Sequence, residues 1–156
     1  MKREKINTAP VWRLMLLCYG ILMLALLFGR ANGWVAGLSY SQQLKNNLNL
    51  RPLTTIRNYL YVVMHSQNGY LVRHCFVNLV GNVLLFVPLG ALLPKVFPRL
   101  RKFFPFLLWS LGLILTVETV QLFTLLGSFD VDDIILNMAG LLLGWIPVRL
   151  CRKKPR

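Results

Sequence analysis

Four apolar runs, each roughly twenty residues long, constrain this chain more than any other feature. Runs of that length cross a bilayer core of roughly 30 Å at ~1.5 Å of helical rise per residue. They fall at about 11–29, 75–93, 104–126 and 131–149. A chain of 156 residues that is 56% apolar by count has too little polar surface to wrap four such runs in water. Its mean hydropathy of +0.56 agrees. The expected fold is all-α: a polytopic membrane protein, one domain over 1–156, built as a four-transmembrane-helix bundle.

The net charge of +13 is distributed in a way that argues against nucleic acid as a partner. Lys2, Arg3, Lys5 and Arg13 lie at the start of the first run, and Lys95, Arg99, Arg101 and Lys102 fill the short connection after the second. Arg149, Arg152, Lys153, Lys154 and Arg156 end the chain, so 13 of 18 basic residues flank spans on one side. The positive-inside rule then sets both termini in the cytoplasm of a multi-pass cell-membrane protein. Anionic lipids of that leaflet are favourable neighbours.

The first run also fits a signal peptide, with Gly29 and Ala31 as small residues before a cut. An uncleaved anchor is favoured, because four spans keep all three basic clusters on one side. Cys18, Cys75 and Cys151 are expected mid-membrane, at the outer boundary and at the inner boundary. That separation excludes a disulfide and any CxxC-type site. His65 and His74 are isolated, so no metal or cofactor is expected.

Residues 30–74 form the one long loop, expected outside the cell. Asn46–Pro52 reads as extended chain. Ile56, Tyr59, Leu60, Val63 and Met64 follow at i, i+3, i+4, i+7 and i+8, one apolar stripe with Thr54 or Thr55 as N-cap. About three turns are too few to span a membrane. The segment reads as a short interfacial or re-entrant helix over the outer face of the bundle. Pro88 and Gly90 predict a kink or a thinned helix in the inner half of the second span, and Pro105 suits the first turn of the third. In the fourth, Gly140 and Gly144 extend a stripe that lets a neighbouring backbone approach closely.

Polar residues interrupt three of the runs at one expected depth. Asn78 and Asn82 open the second span and Asp133 and Asn137 the fourth. Glu118 and Gln121 sit ~21 Å up the third, which runs the other way. Spacings of three and four align each set on one helix face, and Asp130 lies three residues before Asp133. An ionisable group in hydrocarbon is normally paired, cavity-facing and functional. Singly, the amides read as interhelical glue. Asp130, Asp132 and Asp133 could cap the fourth helix, and for Asp132, which faces away from the stripe, capping in a solvated turn is the expected role. Glu118 is too deep for that account. Arg51, Arg57 and Arg73 are its candidate partners.

The string Asn78-x-x-x-Asn82-x-x-x-Phe86-x-Pro88-x-Gly90, then Glu118-x-x-Gln121, then Asp130-x-x-Asp133-x-x-x-Asn137-x-x-Gly140 resembles the VanZ-like family. Leu48-Asn49-Leu50-Arg51-Pro52-Leu53-Thr54 is similar to that family's Asn-Leu-x-Pro-Phe element. The resemblance covers roughly residues 40–147. It implies a bacterial membrane protein related to resistance to the glycopeptide teicoplanin, and it implies no particular reaction. Many members carry an Arg shortly before the first Asp, where this chain has Gly127 or Ser128.

Three functions are then in view. The leading one is a cell-envelope protein whose outer polar pocket binds a lipid headgroup, a lipid-linked wall precursor or a lipophilic glycopeptide. Its expected binding residues are Asn78, Asn82, Glu118, Gln121, Asp130, Asp133, Asn137, Arg51 and Arg73. The second is a membrane-embedded enzyme on such a lipid, with Glu118 or Asp133 as acid/base. The third is a small transporter, which with four spans would need to oligomerise.

Overall fold

The computed structural model describes residues 8–29 and 35–151. Helix α1 spans Ala9–Phe28, α4 Gly69–Val96, α5 Phe103–Thr124 and α6 Val131–Leu150, all four long and apolar enough to cross a membrane. The flanking residues Lys2, Arg3, Lys5, Ala31, Arg152, Lys153, Lys154 and Arg156 lie outside the described part.

Close approach of α4 and α6 organises the bundle. Gly90 lies against the Leu141 carbonyl, Gly140 against that of Val83 and Gly144 against that of Val87. A Cβ at any of the three would overlap backbone. Without water there is little hydrophobic drive between helices, so this backbone contact carries much of the association. Helix α1 packs on α4, and α5 packs on α6. Phe86, Phe106, Ile114 and Leu141 are fully enclosed between them.

On α1 only Met23 is buried, and Leu14, Leu17, Ile21 and Leu24 are exposed. That much exposed apolar surface suits a lipid-facing helix. The Tyr19 hydroxyl donates to the Leu85 carbonyl, in the turn that Pro88 interrupts. The helix itself runs without a break through both Pro88 and Pro94.

The long connection is more structured than its sequence implies. It contains α2 (Tyr40–Asn46), opened by a capping box between Ser39 and Gln42. Strand β1 (Leu48–Asn49) follows, then α3 (Thr54–His65), and α4 begins at Gly69, before the Cys75 boundary expected from hydropathy. β1 pairs in parallel with β2 (Phe129–Asp130), setting Leu48 beside Phe129 and Asn49 beside Asp130. This two-residue ladder ties the connection to the start of α6. A 3₁₀ turn, Pro98–Arg101, links α4 to α5 at the other end of the bundle.

Candidate functional site

The pocket forms where α4 and α6 begin and α5 finishes. Asn82 Nδ2 donates to Asp133 Oδ1 across the α4–α6 seam. Asn137 Nδ2 donates to Glu118 Oε1 at 3.3 Å across the α5–α6 seam. Glu118 Oε2 accepts the Asp130 backbone N–H at 3.4 Å. Gln121 Nε2 donates to the Leu27 carbonyl at 2.9 Å, closing the α1 side. Glu118 is 2% exposed, as is Asn137, whose Oδ1 has no partner among the described residues.

Beside these groups lies an open cavity of about 580 Å³. Its polar wall includes Asn78, Asn82, Glu118, Gln121, Asp133 and Asn137, and its apolar wall includes Leu26, Leu27, Val77 and Leu85. Tyr59 and His74 also line it, their rings meeting edge to face at 6.3 Å. Burial, then the nearby Asp133 carboxylate, raises the Tyr59 hydroxyl above its ordinary value of 10.0, so it stays a neutral donor. Asn78 bonds back to the His74 carbonyl of its own helix at 2.9 Å.

The four described acids divide into two pairs. Asp130 Oδ1 accepts the Asp132 N–H at 2.8 Å and so caps α6, while its Oδ2 takes Thr55 Oγ1 at 2.6 Å and Asn49 Nδ2 at 3.1 Å. Asp132 is fully buried, which overturns the solvated turn expected for it. Its carboxylate accepts the backbone N–H groups of Leu53 and Ile56 and thereby caps α3, a role expected of Thr54 or Thr55. Asp130 and Asp132 therefore anchor structure. Glu118 and Asp133 face the cavity with acceptor capacity to spare.

Arginines were expected near Glu118. Arg51 and Arg73 are exposed and do not line the cavity, and among the described residues no cation pairs with Glu118 or Asp133. Gly127 and Ser128 do line it. The orientation of α3 differs as well. Ile56, Tyr59 and Val63 are half-buried, but Leu60 and Met64 are 45% and 69% exposed. Fastened at Thr55 and Ile56 by the two aspartates, the helix turns part of its stripe outward.

A model of the VanZ/LLP1 family matches residues 15–152. The chain belongs to this family. Among curated proteins, Protein VanZ of Enterococcus faecium is 31% identical over 100 residues, covering 64% of this chain and 51% of the relative. The chain thus spans about half the length of the curated relative it matches. No solved structure matches. As a VanZ/LLP1 member with four candidate spans, it is a multi-pass membrane protein.

Of the seven polar motif positions resembling the VanZ family, six face one cavity and Asp130 sits behind it as a cap. Sequence reasoning missed Tyr59 and His74 as lining residues. Tyr59 stood on the recognised stripe, but His74 carried no pairing signal.

Proposed function

We propose that this is a bacterial cell-envelope protein whose pocket binds an amphiphile: a lipid headgroup, a lipid-linked wall precursor or a lipophilic glycopeptide. In this reading it contributes to teicoplanin-type resistance, its termini are cytoplasmic and the pocket opens outward. The observation that carries the proposal is one cavity with two dissimilar walls. Carboxylates and amides suit a hydroxyl- or amine-rich head, while Leu26, Leu27, Val77 and Leu85 suit an acyl or prenyl stem. Helix α3, which adds Tyr59 to the wall, acts as a lid. Arg51 and Arg73 are assigned to the rim outside the pocket.

Mass spectrometry of lipids copurified with wild type and with Glu118→Ala tests this. A head-bearing lipid enriched in wild type and lost in the variant is expected. Identical lipid inventories would count against the pocket.

A second reading is a membrane-embedded enzyme acting on the same amphiphile. It draws on Glu118 and Asp133 lining one cavity with no cation paired to either among the described residues. One could then serve as base and the other as acid.

A further inference from the structure

At the opposite end of the bundle, ~18 Å along α6 from Asp133 by helical rise, lies a second, smaller cavity. Its volume is about 180 Å³ and it is lined by Pro94, Lys95, Arg101, Trp145, Val148 and Arg149. Three cations and three largely apolar residues thus share one recess at the ends of α4 and α6. The four described acids all lie at the other end, and none of these cations makes an ion pair with a described residue.

Each cation is held in place by something other than a carboxylate. Lys95 Nζ sits 3.9 Å from the centre of the Trp12 ring, and the Arg149 guanidinium 4.9 Å from that of Trp145. Such contacts position a cation while leaving its N–H donors free. Arg101 Nε donates to the Pro94 carbonyl at 2.8 Å. That carbonyl has no helical partner, because residue 98 is proline. Only Nε is used, so the terminal guanidinium nitrogens remain available. Trp145 itself is fixed, donating from Nε1 to the Leu100 carbonyl at 2.9 Å and stacking on Phe106 at 5.3 Å.

We propose that this recess is a binding site for the phosphate of an anionic phospholipid. Guanidinium and ammonium donors converge on an anion, and phosphate geometry suits arginine. The membrane lipid, rather than free phosphate, is the source, because the recess lies at a span end with Trp145 and Val148 in its wall. Basic recesses between helices at a membrane boundary hold such headgroups. The site is independent of the acidic pocket and of any ligand assigned there.

The test titrates the detergent-purified full chain with phosphatidylglycerol or phosphatidylcholine and reads bound lipid by native mass spectrometry. Wild type is expected to retain phosphatidylglycerol preferentially. The double variant Lys95→Gln/Arg149→Gln should weaken that binding by about twenty-five-fold, roughly fivefold per cation removed. Arg99→Gln removes a charge from the same connection but from outside the recess, and should leave binding unchanged. Inorganic phosphate should not displace the lipid. Equal retention of both lipids by wild type would overturn the proposal, and that arm decides the matter even should the double variant fail to assemble. An equal loss in Arg99→Gln would reduce the effect to general surface charge. Displacement by inorganic phosphate would make the site one for free anion and overturn the lipid assignment.

Discussion

The Asp132 carboxylate accepts the Ile56 backbone N–H at 3.0 Å, so the N-terminus of α3 is capped from 76 positions further along the chain. With the Thr55–Asp130 bond beside it, this contact fastens α3 to the start of α6. The wall that contributes Tyr59 to the pocket is therefore set by two buried aspartates.

Removing that fastening should loosen α3 alone. Asp132→Ala leaves two backbone donors unpaired, at a cost of about 1–3 kcal/mol each. Amide hydrogen exchange is expected to rise across residues 54–65 while the α4–α6 seam stays protected. Unchanged exchange in α3 would remove Asp132 from the account.

The two faces of α3 should respond differently to charge. Val63→Asp places a carboxylate on the half-buried face and should impair function, whereas Met64→Asp, at a position 69% exposed, should be tolerated. Antibiotic susceptibility beside quantified membrane abundance distinguishes the two. Equal effects of both variants would mean that α3 does not close over the pocket.

At Gly140 and Gly144 an added Cβ would overlap the backbone carbonyls of Val83 and Val87. Gly144→Ala therefore separates α4 from α6 and is expected to destabilise by about 1–3 kcal/mol or more. Gly112, with open space around its Cβ position, should accept alanine with little change. Melting temperatures in detergent provide the comparison.

Orientation is testable through native thiols. Cys75 is buried and should stay silent toward a membrane-impermeant maleimide, while Cys151 is exposed. Cytoplasmic termini predict that Cys151 labels only after lysis. Labelling in intact cells would invert the topology and move the acidic pocket to the cytoplasmic side.

The four spans were legible in sequence because apolar length is a one-dimensional property. Most of the pocket was legible too, since helix direction and rise set Glu118, Asn82 and Asn137 at comparable depth. What was not legible depends on partners distant in sequence. Asp132 is off the stripe of α6 and reads as solvated until α3 is placed over it. Leu60 belongs to the same apolar stripe as Tyr59, and only the fastening at Thr55 and Ile56 decides which of them turns inward. A backbone carbonyl beside Trp145 or Arg101 has no sequence signature, so the basic recess emerged only in three dimensions.

Glu118 and Asp133 are expected to work as carboxylates and to do more than bridge helices. Glu118→Gln and Asp133→Asn keep size but turn one acceptor oxygen into a donor, which at Glu118→Gln a turned-round Asn137 amide can meet through its Oδ1. If the groups only bridge helices, an amide should substitute at about 1 kcal/mol or less. The most direct measurement is teicoplanin susceptibility of cells carrying Glu118→Gln, with membrane abundance and detergent melting temperature quantified in parallel. Resistance is expected to be lost while abundance and melting stay near wild type. A Glu118→Gln protein that is abundant and fully protective would contradict this and leave the cluster as packing.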